Sequence, residues 1–355
     1  MHTENYSIAH SLDKQSWSDF VFQHPYGNIF HTPEMYDVFL NSQNHTPKLF
    51  AAMNKSGRIA SIFIPVLLNH HHGFHNFLTN RCVSYGSLLA NQDDAGIKST
   101  EILLNQYIKH INFYPIYTEL RNIIDLTYLR NLLIKYKFCY YDYLNYVIPL
   151  EKPFENMLNR MCRSARKSIR KELRNKTIEI ESVHSFEKVS ICYDILRSSY
   201  HYNCVPLADK SLFLNSFRIL YPKNMIKFTL AKYNDDYIAT SIDLLYKDTI
   251  YGWYGGFIRQ YSKLPVNIII MWHVLTWGAS QGFKWYDFGG AGKPDEKYGV
   301  RDFKAKFGGN LVNYGRFLYI HSPIRYHIGT IMYKILRSAI LYFKSNLRSF
   351  FSVLI

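Results

Sequence analysis

The sequence predicts a mixed α/β (α+β) fold: two related lobes in tandem, each a mixed, mainly antiparallel sheet flanked by helices, then an amphipathic C-terminal helix. Three observations carry that expectation. The chain has 355 residues, 48% of them hydrophobic, enough for about two domains of ordinary size with a core in each. The stretch Ala52 to Ala60 aligns without a gap on Ala231 to Ala239, and both read as strand, polar turn, strand. The region from Tyr251 to Gly292 runs strand, helix, strand, glycine turn.

From the N-terminus, Met1 to Asp19 is polar and lacks the apolar run of a signal peptide, so a cytoplasmic protein is expected. The longest apolar stretch, Ile59 to Leu68, is about half the ~20 residues of a membrane span and contains Pro65; it reads as a buried strand. His70, His71 and His72 with His75 read as a surface turn. Consecutive histidines do not all face one ion, and no carboxylate or cysteine sits nearby. Cys82, Cys139, Cys162, Cys192 and Cys204 are odd in number and form no CxxC pair, which points to reduced thiols and to no metal site. Tyr85-Gly86 and Tyr251-Gly252 follow the two similar segments in matching places, as duplication of one unit would give.

The lobes are expected to meet near Pro149 to Pro153, giving an N-terminal lobe over 1–150, a C-terminal lobe over 151–325 and a terminal helix over 326–355. A helix is predicted to open the second lobe. On a helical wheel Arg160, Arg163, Arg166, Lys167, Arg170, Lys171 and Arg174 share an arc of roughly 140° opposite an apolar face. Like charges so placed repel, and the net charge of +15 favours anionic partners. In the terminal element, Ile328 to Ile355, Lys334, Arg337, Lys344 and Arg348 share a similar arc with four serines, as in a helix lying on an anionic membrane surface.

Asp287-Phe288-Gly289 copies a kinase motif, but the lysine, catalytic loop and glycine-rich cover that precede it in kinases are missing. Gly289 to Lys293 is not a phosphate loop, which needs glycine at Asp287 and Ser or Thr at Pro294. What remains is a C-terminal series. Tyr254-Gly255-Gly256 ends a strand; Pro265 opens a helix over Val266 to Ser280; Phe283 to Phe288 is a strand; Gly289, Gly290 and Gly292 turn out of it. Glycines at a strand end permit close approach of a ligand, with N–H groups available to an anion. Phe303 and Phe307, at i and i+4, share a helical face with Lys304 beside them. A cation against an apolar wall acts strongly on nearby negative charge.

In order and spacing, Tyr254-Gly-Gly, Pro265 with Trp272, Gly282 to Gly290, and Gly299-(x3)-Phe303-Lys304-(x2)-Phe307-Gly308 resemble the FemABX-type peptidoglycan bridge-forming aminoacyltransferases and their envelope-polysaccharide-associated relatives. Those are GNAT-superfamily enzymes of two GNAT-like lobes, with a CelD-like acetyltransferase domain. The resemblance covers roughly residues 150 to 315 well, the first lobe weakly, and implies that Lys304 stabilises the oxyanion formed when an amine attacks an ester or thioester carbonyl. It further implies that Tyr254 and nearby basic residues bind substrate phosphates. The expected binding set is Tyr254, Gly255, Gly289, Gly290 and Phe303 with Arg121, Arg163 and Arg170. For the proton acceptor the sequence leaves Asp287 and Glu119 as alternatives. Two departures stand out. The Asp-Pro usual in peptidoglycan members is replaced by Thr118 to Asn122, and no heptads supply a coiled-coil arm. The turn that holds coenzyme A in ordinary GNAT enzymes has no glycine here in Arg259 to Pro265.

The sequence therefore predicts an acyltransferase acting on an amine of a phosphate-bearing cell-envelope precursor (peptidoglycan or polysaccharide). It is expected in the cytoplasm, peripheral at the inner face of the cytoplasmic membrane, with aminoacyl-tRNA or acyl-CoA as donor and no tightly bound cofactor. The rival readings are an acyl-CoA-dependent N-acyltransferase of the same fold and a non-catalytic RNA- or lipid-binding protein.

Overall fold

The structure, a computed structural model, describes residues 6–69, 74–111, 114–335 and 338. In chain order its elements are β1 (Ser7–Ala9), α1 (Lys14–Gln23), α2 (Pro33–Leu40), β2 (His45–Pro47), β3 (Phe50–Met53), β4 (Ile59–Phe63), β5 (Val66–Leu68), α3 (Phe74–Thr79), β6 (Arg81–Tyr85), β7 (Leu88–Ala90), α4 (Asp94–Ile111), β8 (Tyr117–Arg121), α5 (Arg130–Lys135), β9 (Cys139–Tyr141) and β10 (Leu144–Pro149). There follow α6 (Phe154–Arg160), α7 (Arg163–Asn175), β11 (Ile178–Ser182), α8 (Phe186–Asn203), α9 (Lys210–Leu220), β12 (Ile226–Tyr233), β13 (Asp236–Tyr246), β14 (Thr249–Phe257), α10 (Val266–Ser280), β15 (Trp285–Gly290), α11 (Gly299–Ala305), β16 (Asn310–Asn313) and β17 (Arg316–Ile320). A last helix begins at residue 323.

The duplicated hairpins form and share a defect. The β3–β4 pair slips register between Ala52 and Met53, and the β12–β13 pair between Ala231 and Lys232, the residues that align in sequence. A bulge of this kind bends a hairpin and increases its twist. Tyr85 and Tyr251 are also equivalent. Tyr85 in β6 lies opposite Arg121 of the parallel neighbour β8, and Tyr251 in β14 lies opposite Asp287 of the parallel neighbour β15. Parallel neighbours require a crossover, and it is supplied by α4 in one lobe and α10 in the other.

Two expectations are corrected, in the long apolar stretch and in the basic helix, and the two halves of the chain interlock. Ile59 to Leu68 is two strands: β4 belongs to a four-stranded sheet (β1-β3-β4-β7) and β5 to a six-stranded one (β2-β5-β6-β8-β17-β9). The break falls at Ile64-Pro65, since proline has no N–H to continue a ladder. The halves of the chain also exchange strands. β10, from the first 150 residues, pairs with β15 and β16 in a seven-stranded sheet (β11-β12-β13-β14-β15-β10-β16), while β17 pairs with β8 and β9 of the first lobe. A cut at residue 150 severs both sheets. Finally, the basic helix is two helices, α6 and α7, broken at Met161 and Cys162, where the Cys162 N–H donates to the carbonyl of Lys306 at 2.9 Å. Glu151 and Glu155 pair with Arg160 and Arg170, so the stripe is partly neutralised.

The lobes share a core. Phe30, Met35, Val38, Phe39 and Val83 of the first pack in one buried cluster with Leu196, Phe213, Phe228 and Ile242 of the second. Phe30 sits at the seam, its ring 5.5 Å from Tyr85 and 5.1 Å from Tyr251. Phe30→Ala is expected to cost about 3–5 kcal/mol while leaving a single unfolding transition, because both sheets lean on this cluster. Urea denaturation followed by tryptophan fluorescence and far-ultraviolet circular dichroism checks it, and two separated transitions would show independent lobes.

Candidate active site

Lys304 lies near the end of α11, a two-turn helix whose apolar face decides where the ammonium goes. The rings of Phe303 and Phe307 stand 5.2 Å apart and close on Phe288 of β15 at 6.3 and 5.5 Å. That packing turns Lys304 back over the end of β15. The side chain is 8% exposed, and Nζ donates to the carbonyls of Phe288 at 2.5 Å and Gly290 at 2.8 Å. An ammonium has three N–H groups, and among the described residues two of them have acceptors. Burial pushes Lys304 down to about 8, with the charge of Asp287 opposing; an ion out of water resists being charged.

Beneath the turn, the Asp287 carboxylate accepts the Gly289 N–H at 2.7 Å. Burial pushes this carboxyl up to about 6, against the Gly289 bond, Lys304 and a bond from Asn145. The N–H of Gly289 is therefore engaged by Asp287, so that donor of the expected glycine floor is not available to a ligand. Gly289 itself has φ +66°, and a Cβ there would stand 3.0 Å from the Tyr251 hydroxyl, so only glycine suits the position.

Two cavities flank this strand end. The larger, about 550 Å³, lies within the second lobe and brings together Tyr254, Gly255, Phe303 and Lys304 with residues of α8 and α10. The smaller, about 260 Å³, lies between the lobes and collects Arg121, Gly290 and Arg316 with Tyr254, which lines both. Burial pushes the Tyr254 hydroxyl well above its usual value, so it stays a donor. Arg163 and Arg170 line neither cavity; they are exposed on α7.

Glu119 on β8 is 9% exposed and fully engaged: Arg121 Nε donates to it at 2.6 Å, Arg316 Nη1 at 3.0 Å and the Tyr141 hydroxyl at 2.5 Å. Burial disfavours its charge, but the two guanidiniums and the tyrosine outweigh burial and hold the carboxyl well below the usual range.

Sequence reasoning missed two groups. Arg316 is brought in by the strand exchange, which local pattern does not report. Asp243, fully buried in β13, accepts the Tyr286 hydroxyl at 2.9 Å and the Ser241 hydroxyl at 2.8 Å, and both donors line the larger cavity. Burial pushes Asp243 up to about 6. An acidic residue inside the apolar run Ile242 to Leu245 was its available signal. Among the described residues no group of three or more His, Cys, Asp or Glu is placed to hold a metal; His70, His71, His72 and the side chain of His75 lie outside them.

Residues 159–304, somewhat under half of the chain, match the family model described as an acetyltransferase (GNAT) domain. Its fold is similar to the crystal structure of FemX, with a TM-score of 0.69 at 14% identity over 91% of this chain and 100% of the other. It is similar also to the C-terminal domain of a putative lysylphosphatidylglycerol synthetase from Agrobacterium fabrum (TM-score 0.56, 11% identity, 91% and 96% covered). A tandem GNAT protein from the clavulanic acid biosynthesis pathway matches with TM-score 0.55 at 8% identity, over 90% and 99%. No curated protein matches the chain in sequence. The two-lobed GNAT-like architecture expected from the sequence is thus the one observed.

Asp287 gives a pH test. Its folded value of about 6 exceeds its ordinary 3.8, so the folded protein holds this proton more tightly. Its contribution favours folding below about pH 4 and is lost as the pH rises through about 6. The unfolding free energy of Asp287→Asn relative to the wild type is therefore expected to rise between pH 4 and pH 7, measured by urea denaturation at fixed ionic strength. A difference that does not change with pH would contradict the raised value.

Proposed function

We propose, from the match of residues 159–304 to an acetyltransferase (GNAT) domain, that this protein transfers an aminoacyl or acyl group onto an amine of a cell-envelope precursor. The observation that carries the reading is Lys304: a buried ammonium on a cavity wall, anchored by two backbone carbonyls and with one N–H uncommitted among the described residues. In the step envisaged, the amine lone pair attacks the acyl carbon and the carbonyl π pair moves to oxygen. The Lys304 ammonium stabilises that oxyanion, with more effect than in water because the site is dry. The intermediate then collapses, expelling the alkoxide or thiolate of the donor.

The amine proton needs an acceptor. Glu119 is tied to two arginines, and Asp287 sits behind the turn, off the wall of either cavity. In this reading Glu119 positions Arg121 and Arg316, while Asp287 supports the charge on Lys304. The proton passes to the Tyr286 oxygen as Tyr286 gives its own to Asp243, a hydrogen bond already in place. The donor is charged tRNA or acyl-CoA. Charged tRNA is favoured by the exposed Arg163, Lys167, Lys171 and Arg174 of α7, which make no ion pair among the described residues. The envelope as destination is supported by the resemblance of the C-terminal series and by the fold shared with FemX and the lysylphosphatidylglycerol synthetase domain.

Membrane apposition is part of the same reading. Ile324, Ile328, Ile331, Met332, Tyr333 and Ile335 are exposed on the helix that begins at residue 323; of residues 336–355 only Ser338 is among those described. No described helix is long and apolar enough to cross a membrane. Such a face suits the inner surface of an anionic bilayer.

Lys304→Ala is expected to lower kcat by about 10² or more, and the wild-type rate to fall as the pH rises above about 8, where Lys304 loses its proton. A folded Lys304→Ala with normal turnover removes the role, and a rate that rises through pH 8 would make Lys304 a base instead. Mass spectrometry of envelope precursors from cells with and without the protein supplies the substrate, as a missing acyl or amino acid increment. Thermal protection by charged tRNA or by coenzyme A separates the donors. In a flotation assay the full chain should rise with anionic liposomes while a chain ending at Pro323 stays behind; equal flotation would sink the membrane reading.

A further inference from the structure

The smaller cavity holds an arrangement that the transfer step does not use. Arg121 of β8 and Arg316 of β17 are cross-strand partners, directly opposite in register. Like charges so placed destabilise a sheet pair unless something lies between them. Glu119, two residues from Arg121, takes one N–H from each guanidinium. One carboxylate against two guanidiniums leaves a net charge of about +1, and among the described residues no carboxylate lines the cavity they face.

Their remaining donors point to a ligand. Among the described residues neither Nη of Arg121 meets a hydrogen-bond acceptor. Nη2 of Arg316 lies beside Gly290, 3.3 Å from where a Cβ would stand. Both guanidiniums lie over rings of the cavity wall: Arg316 is 3.4 Å from the ring centre of Tyr143, Arg121 5.3 Å from that of Tyr85. Planar forks anchored on one edge by Glu119, with donors left on the other, are what bidentate recognition of a carboxylate or phosphate requires. Gly290 connects this cavity to the chemistry. Its carbonyl takes an N–H of Lys304, and Arg316 stands against its Cα.

We propose that the cavity between the lobes is an anion subsite, in which the free edges of Arg121 and Arg316 bind a carboxylate or phosphate carried by the amine acceptor close to the nitrogen that is acylated. The word acceptor rests on the acyl-transfer reading; anion binding does not. The acceptor is then an anionic amine, either amino-acid-like or a phosphorylated amino sugar. The larger cavity, with Phe303 and Lys304 on its wall, is left to the acyl donor.

The test is calorimetry and thermal melting of the full chain with inorganic phosphate and, separately, acetate, against chloride at constant ionic strength. One-to-one binding of phosphate or acetate is expected, weakened at least tenfold in Arg121→Gln and in Arg316→Gln. Preference for phosphate identifies a phosphorylated acceptor, and preference for acetate a carboxylate. Arg316→Lys keeps the charge facing Glu119 and guards against misfolding: it should melt like the wild type without anion and bind at least threefold more weakly. Lys304→Ala should bind anions as the wild type does, so loss of transfer and loss of the subsite are separable. Absence of binding, or wild-type affinity in these arginine variants, overturns the proposal.

Discussion

The pairing of β10 with β15 and of β17 with β8 is the constraint on which the rest of the molecule depends. Each half of the chain completes a sheet with a strand from the other, so neither sheet is whole until both halves are in place. The shared apolar cluster between the lobes seals that arrangement. Its functional consequence is local. β17 delivers Arg316 to a point opposite Arg121, and β10 brings Asn145 to the glycine end of β15. A cleft assembled by strand exchange keeps its geometry because moving one wall would break hydrogen-bond ladders in two sheets.

Within that frame the site works by opposing two costs. An ammonium resists burial and a carboxylate resists it too; Lys304 and Asp287, held on either side of one glycine turn, offset each other. Neither is pushed so far that it loses its charge at neutral pH, since Lys304 is brought down only to about 8 and Asp287 up only to about 6. Two backbone carbonyls fix the ammonium without neutralising it. The phenylalanines around it keep water out and make its field effective over a short range.

Much of the architecture could be read locally. The Ala52 and Ala231 hairpins, the α10 span from Val266 to Ser280 after Pro265, and the Phe303–Phe307 face all follow from periodicities of two or 3.6 and from the special backbone of proline and glycine. The Pro65 break shows the same logic carried too short a distance: the proline was visible, but which sheet each fragment would join was not. Likewise the arginine stripe looked uncompensated because Glu151 and Glu155 lie outside the arc on the wheel and reach it only in space.

By itself the sequence determined the two-lobed α/β plan, the hairpin duplication and the Lys304-bearing helix next to a glycine turn, because each is written in residues close along the chain. Tertiary structure alone decided that Asp287 is buried behind that turn, that Glu119 is consumed by two arginines, and that Asp243 backs Tyr286 on the cavity wall. The physical reason is that a carboxylate's chemistry is set by its nearest donors and its distance from water. For Glu119 those donors include Arg316, 197 residues away in sequence.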